Sequence, residues 1–289
     1  MRFSVIIPTY SRLRALRQCL AALRAQDFPA AGYEVIVVDD ASPSPVSPLA
    51  PELETGLTLT LLHTPHNQGP AAARNLGAQH ARGHWLAFTD DDCIPAPDWL
   101  SSLRRTLDSH PGCAVGGRIL NGRPHELGAA ASQAILDAVY RYSNRDPSHA
   151  RFFATPNFAV SAKVFRQVGG FRPEFRTSED REFCARLGKH GTRLFYAPDA
   201  VVVHHATARF LDFWKRHYHY GRGAYRFRRL QAAEVEERIR LEPASFYWRL
   251  LGEPFRQGMG LRPLLVSAWI AISQLASLAG FLNEWHRSR

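Results

Sequence analysis

Four short apolar runs in the first ninety residues, each closed by polar or turn-forming residues, constrain this chain most. They are FSVIIPT (3–9), YEVIVVDD (33–40), LTLTLLH (57–63) and HWLAFTD (84–90). Runs this short and this rich in Val, Ile, Leu and Phe read as core strands. Between the first two, Leu13, Leu16, Leu20 and Leu23 recur at helical spacing and predict an amphipathic helix over 12–26. Between the last two, GPAAARNLGAQHAR (69–82) predicts an Ala-rich helix entered through Gly69-Pro70, since proline is tolerated at a first helical position. Strands and helices in alternation predict an α/β domain with a mostly parallel sheet flanked by helices.

Ligands of such sheets collect at the carboxyl ends of the strands. Here Thr9 and Tyr10 follow the first run, Asp39 and Asp40 close the second, and Asp90, Asp91 and Asp92 follow the fourth. A carboxylate after a strand often caps a helix or sits in a solvated turn. Two acidic strand ends in one sheet instead point to a binding crevice. Hard cations such as Mg²⁺ or Mn²⁺ commonly bridge protein carboxylates to nucleotide phosphates. On an extended chain Asp90 and Asp92 share a face, and Asp91 points elsewhere.

The second half changes character. Residues 151–175 mix a strand-like piece, a short helix and a Gly-Gly-Phe turn. In TSEDREFCARLGKHG (177–191), Ser178 is placed to cap a helix, Glu179 and Asp180 lie in its first turn, and Gly191 can close it. TRLFYAPDAVVVHH (192–205) reads as strand, turn, strand, ending at His204 and His205. From residue 206 the chain is basic and aromatic, with Arg209, Lys215, Arg216, Arg222, Arg226, Arg228 and Arg229 against Asp212. Residues 264–282 carry no charge over nearly a bilayer span, but Ser267, Ser273, Gln274 and Ser277 dilute them. Marginal insertion across a bilayer, an interfacial hairpin and a packed core helix all fit. The expected division is an α/β domain over 1–205 and a helical C-terminal extension over 206–289.

The formal net charge of +10 favours anionic partners such as nucleotides or an anionic membrane surface. Nucleic acid is not expected, because no recognised nucleic-acid module accompanies the basic residues. Four scattered cysteines without a C-x-x-C pair argue against a zinc site or a disulfide framework and for buried free thiols. The N-terminal apolar run is too short for a signal-peptide core. A cytoplasmic protein, peripheral to or anchored at the cytoplasmic face of the membrane, is therefore expected.

Taken in order, SVIIPTYSR (4–12), EVIVVDDAS (34–42), NQGPAAARNLGA (67–78), WLAFTDDDC (85–93), GGF (169–171) and SEDREFCARL (178–187) resemble the family 2 glycosyltransferases. The resemblance implies the GT-A fold and donor binding by Pro8, Thr9, Tyr10 and Arg12. It makes Asp40, with Asp39 beside it, the acid that contacts the base, and Arg74 a donor-contacting residue. It assigns Asp90, Asp91 and Asp92 to the ribose and the metal-bound diphosphate, with Asp90 and Asp92 as ligands of Mg²⁺ or Mn²⁺. Asp180, preceded by Glu179, matches the catalytic base, and His204 or His205 an additional metal ligand. The implied enzyme is metal-dependent and inverting. It moves one sugar from a nucleoside-diphosphate sugar to a sugar, lipid-linked or other hydroxyl acceptor, in glycan, polysaccharide or glycolipid synthesis.

The Q-x-x-R-W motif of processive members has no counterpart, which favours transfer of a single sugar. Two other readings compete. A sugar-nucleotide nucleotidyltransferase would carry a Gly-rich loop after the first strand, whereas PTYSRLR (8–14) has no glycine. A non-catalytic, membrane-associated anion-binding scaffold on the same fold has no need of the full set Asp40, Asp90, Asp92 and Asp180.

Overall fold

A computed structural model of the chain describes residues 1–46, 56–206, 209–234 and 242–288. Two compact units emerge. The first comprises Met1–Leu120 and Asn144–His205, the second Asn121–Ser143 and Ala206–Arg289.

The first unit is built on a sheet whose strands are β1 (Phe3–Thr9), β2 (Tyr33–Asp39), β3 (Leu59–His63), β4 (Trp85–Phe88), β5 (Cys93–Pro95), β6 (Ala114–Asn121), β7 (Phe158–Ser161) and β8 (Leu194–His204). Their spatial order is β3-β2-β1-β4-β7-β6-β8-β5. Pairing is parallel from β3 through β4 and antiparallel where β7 meets β4 and β6 and where β5 meets β8, so the sheet is mixed. The chain moves outward from β1 to β2 and β3, then returns to the other side of β1 as β4. That reversal opens a crevice at the carboxyl ends of β1 and β4. Register carries the polar strand ends there: Thr9 pairs with Asp39, and Ile6 with both Ile36 and Phe88.

Alternate residues of the strands serve opposite faces. Val5, Ile7, Val35 and Val37 pack in one cluster with Leu16, Leu20 and Leu23 of helix α1 (Leu13–Arg24) and with Trp99 and Leu103 of helix α3 (Trp99–Ser109). Ile36 and Val38 meet Ala73 of helix α2 (Pro70–His80) on the other face. Small residues let α2 lie close to the sheet: a Cβ on Gly77 would come within 2.6 Å of Ile6 Cγ2. The helix starts as its sequence predicts, with Gly69 at the N-cap and Pro70 in the first turn.

The segment 192–205 departs from expectation. It forms one strand, β8, with Pro198 and Asp199 exposed in its middle. Proline has a φ compatible with a strand and is tolerated where its missing N–H leaves no ladder bond unmade. Helix α4 (Leu127–Ser143) also departs, because it belongs to the second unit and not to the α/β domain that surrounds it in sequence. Its Ala131, Ala134 and Ala138 cluster with Phe213, Leu250, Val266 and Ile270 of the helices α7 (Phe210–Glu234), α8 (Ala244–Gly252) and α9 (Leu261–Arg287). An alanine face on α4 suits that close packing.

In the first unit, helix α5 (Ala162–Val168) is capped by the Ser161 hydroxyl, which accepts from Val164 N–H at 3.1 Å, and it ends at Gly169 with φ 87°. Helix α6 (Glu179–Lys189) closes in a Schellman arrangement: Thr192 N–H donates to Leu187 O, Gly191 N–H to Gly188 O, and Gly191 has φ 80°. The four cysteines are free and buried.

Candidate active site

The three consecutive aspartates stand in a turn and not on an extended strand. Cys93 N–H donates to Asp90 O at 3.1 Å, and Asp91 and Asp92 share one arginine while Asp90 meets another. Asp90 Oδ1 accepts from Arg74 Nη2 at 2.6 Å. Asp91 accepts from the Thr9 hydroxyl at 2.7 Å and from Arg12 Nη1 at 3.1 Å. Asp92 Oδ2 accepts from the same Arg12 nitrogen at 2.8 Å, while its Oδ1 lies 3.2 Å from His204 Nε2. Crowded acids repel, and here two guanidinium groups, a hydroxyl and an imidazole separate them. Burial still pushes Asp91 up to about 6, with Asp92 and Asp90 adding to the rise and Arg12 and Thr9 opposing it.

Arg74 links this turn to α6. Its buried guanidinium donates to Asp90 and, through Nη1, to Glu179 Oε1 at 2.9 Å, and its Cζ lies 5.9 Å from the centre of the Phe171 ring. The Gly-Gly-Phe turn supplies that ring. Gly169 and Gly170 take φ values of 87° and 66°, and Phe171 packs against Phe88, Phe165 and Phe183 at centroid distances of 5.2, 5.4 and 4.7 Å. Asn75, one residue beyond Arg74, clamps the turn: its side-chain amide donates to Phe171 O at 2.7 Å and its carbonyl accepts from Phe171 N–H at 2.9 Å. Arg186 of α6 bonds Gly170 O at 2.6 Å and the buried Glu182. Asn75, Glu182 and Arg186 were invisible to motif reading as site-building residues. Their only signal was an amide and an i, i+4 ion pair inside two of the matched segments.

Asp180 follows Glu179 in the first turn of α6 and is half-buried. Its carboxylate accepts from Arg181 N–H at 2.8 Å. Burial, with the adjacent Glu179 charge adding, raises its pKa to about 7. Ser178 occupies the N-cap but makes no side-chain cap, because its φ of 67° turns it into the left-handed region. Among the described residues only Ser11, Ala41 and Ser178 are non-glycine residues at positive φ. Each adjoins a segment named from sequence, and Ser11 N–H donates to Ser42 Oγ at 2.8 Å. Such backbone costs about 1–3 kcal/mol and concentrates where geometry serves chemistry.

Asp39 and Asp40 are not brought into the cluster of arginines and acids. Asp39 accepts from Ser42 N–H and Val46 N–H at 3.0 and 3.1 Å. Asp40, just beyond β2, accepts from Gln68 N–H, Gly69 N–H and the Thr64 hydroxyl at 2.9, 2.7 and 2.8 Å, and so ties the entry of α2 to the end of that strand. Both are buried, and Asp40 Oδ2 accepts one of these bonds, where a carboxylate oxygen can accept two. Pro8 is half-buried, and Tyr10 is exposed at the end of β1.

The donor set fits a divalent cation at Asp92 and His204. Ligand atoms of Asp92, Cys93 and His204 all lie within 4.8 Å of one another. A carboxylate oxygen and an imidazole nitrogen suit Mn²⁺, and a diphosphate supplies further oxygens. The Cys93 thiol does not suit it: burial and the nearby aspartates raise its pKa far enough to keep it protonated. Asp90 is engaged by Arg74. His205 meets Asp92 through its backbone, its N–H donating to Asp92 O at 2.8 Å.

The model of "Glycosyl transferase family 2" matches residues 4–169. A pre-mycofactocin glycosyltransferase of Mycobacterium tuberculosis is 32% identical over 225 residues, covering 76% of this chain and 46% of that protein, so the chain spans under half of that relative. Glycosyltransferase AglE of Haloferax volcanii is 28% identical, covering 99% of this chain and 96% of that one. Among solved structures, a mannosyltransferase from Pyrobaculum calidifontis in complex with GDP-Man and Mn²⁺ superposes with a TM-score of 0.70 at 21% identity, covering all of this chain and 88% of that chain.

Proposed function

The chain belongs to glycosyl transferase family 2 and has the GT-A fold, and from that premise we propose that it transfers a single sugar, with inversion, from a nucleoside-diphosphate sugar to an acceptor hydroxyl. The observation that carries this reading is Asp180: a half-buried carboxylate with its pKa raised to about 7, on a helix tied to the aspartate turn through Glu179 and Arg74. A general base works best when its pKa lies near the working pH.

In this mechanism Asp180 takes the proton of the acceptor hydroxyl as that oxygen bonds to the anomeric carbon. The bond from that carbon to the diphosphate oxygen breaks, and its electron pair leaves with the nucleoside diphosphate. Inversion follows from a single displacement on the opposite face. Asp92 and His204 would hold Mg²⁺ or Mn²⁺, with Asp90 of the same turn kept in place by Arg74. The ion, when bound, neutralises charge on the departing diphosphate.

Arg12 and Thr9 orient Asp91 for the donor's ribose, and the exposed Tyr10 ring offers a surface for the base. Asp40, with Asp39 beside it, would contact the base, since its Oδ2 accepts one backbone N–H and a carboxylate oxygen can accept two. Glu179 positions Arg74 and does not itself take the proton.

Screening the full chain with Mn²⁺ against a panel of nucleotide sugars tests the reaction class, and Asp180→Asn tests the base. Transfer is expected to vanish in that variant while donor binding, read by calorimetry, is retained. Near-normal turnover would remove Asp180 from the mechanism.

A further inference from the structure

Helix α9 is apolar on the side that faces outward as well as on much of the side that packs inward. Its outward side carries Leu261, Leu264, Leu265, Leu275, Leu278 and Leu282, each between 41% and 71% exposed. From Leu264 to Leu282 the remaining exposed positions are all alanine. Its inward side is mixed: Val266, Ile270 and Ala276 are buried beside a fully buried Ser273, and Glu284, 6% exposed, accepts from Arg222 Nε at 2.6 Å and Arg226 Nε at 2.7 Å. An uninterrupted apolar face of this length is uncommon on a surface left to water.

Length and composition alone would let α9 cross a bilayer. Its neighbour forbids it. Phe213 of α7 meets Trp269, and Tyr225 meets Phe281, so the two helices run side by side in the same direction. The contact is close: a Cβ on Gly221 or Gly280 would lie 1.9 Å from a carbonyl oxygen of the other helix. Within that shared length α7 carries Lys215, Arg216, His219 and Arg222. A spanning α9 would draw these groups into hydrocarbon, at several kcal/mol each.

We propose that α9 lies flat on an anionic phospholipid surface, its leucine face seated at the boundary between headgroups and acyl chains and α7 on the water side. Charge selects this occupant. Exposed Arg262 and Arg287 stand at the two ends of the leucine face, and α8 adds exposed Arg249 beside Trp248, which is 74% exposed. Basic residues flanking an apolar face, with an indole beside them, match the chemistry of an acidic membrane interface. A second copy of the chain fits less well. Pairing the leucine faces in either direction would set basic ends against basic ends.

Sedimentation of the full chain with vesicles tests this. Binding is expected to vesicles containing phosphatidylglycerol, to be weak on phosphatidylcholine alone, to fall as salt is raised, and to be reversed by alkaline carbonate. Leu275→Glu with Leu278→Glu should lower the bound fraction at least about tenfold. Arg262→Glu with Arg287→Glu, which leaves every apolar contact intact, should bring phosphatidylglycerol binding down to the phosphatidylcholine level. Thermal melting of each variant separates lost docking from lost fold. Resistance to carbonate would mean that α9 spans. Equal binding by wild type and the arginine variant would remove the anionic surface as the occupant. So would a wild-type dimer in light scattering that the leucine variant dissolves.

Discussion

Arg74 donates to Glu179 at 2.9 Å while its other terminal nitrogen holds Asp90 at 2.6 Å. One buried side chain on α2 thereby sets the separation between the aspartate turn and the helix that carries Asp180.

Arg74→Met is expected to destabilise the fold by about 3–5 kcal/mol, because it leaves two carboxylates without their cation in a desolvated site. Arg74→Lys retains the charge but cannot serve both acids from one planar fork, so it should keep most of the stability and lose most of the turnover. Urea unfolding and transfer rates on the two variants check this. A lysine variant with wild-type turnover would dissociate Arg74 from positioning.

For Asp180 the pH dependence has a definite sign. The base acts as carboxylate, so kcat/KM should rise about tenfold per pH unit below about 7 and level off above it. The same raised pKa means that the folded state disfavours the charged form. Its stabilising effect, the preference for a protonated Asp180, is present at low pH and is lost as pH rises from the unfolded value near 4 through about 7. Asp180→Asn should therefore raise stability at pH 8 by on the order of 1–3 kcal/mol and change it little at pH 4. Melting curves at the two pH values decide it.

Mn²⁺ affinity, followed by electron paramagnetic resonance titration, should separate the acids. Asp92→Asn is expected to weaken binding at least about tenfold and His204→Gln to weaken it by a similar or smaller factor. Asp90→Asn, whose carboxylate faces Arg74, should act chiefly on stability. If Asp90→Asn proves the most damaging to Mn²⁺ binding, the assignment to Asp92 and His204 fails.

Gly170→Ala probes the turn beneath Arg74. A Cβ there would meet Asn75 Oδ1 at 2.8 Å with φ held at 66°. A loss of about 1–3 kcal/mol is expected, accompanied by lower turnover through the displaced Asn75 and Arg74. An unchanged melting temperature would count against the clamp.

Much of this was legible along the chain because the signals were local. Strands β1 and β2 end at Thr9 and Asp39 as their polar ends announce, β4 stops at Phe88, two residues short of Asp90, and the Gly69-Pro70 start of α2 and the Gly191 stop of α6 follow from backbone chemistry. Spacing failed at the aspartates. An alternating face presumes an extended chain, and the hydrogen bond from Cys93 to Asp90 makes a turn there. Asn75, Glu182 and Arg186 act through partners distant in sequence, so nothing beside them marked their work. The acidic pair Asp39-Asp40 lies at a strand end as its sequence predicts, but the backbone N–H groups of Ser42, Val46, Gln68 and Gly69 that donate to it come from loops that periodicity cannot place.

The membership of α4 in the second unit changes what a boundary at residue 205 means. The chain passes between the units after Leu120, again after Ser143 and a third time after His205. Residues 206–289 are therefore the larger part of a body whose other part is spliced into the middle of the α/β segment, closer to an inserted cassette than to a detachable tail. Cutting the gene at that codon would strand Ala131, Ala134 and Ala138 without the partners that cover them. Shuffling this extension between relatives would have to exchange two separate stretches of sequence together.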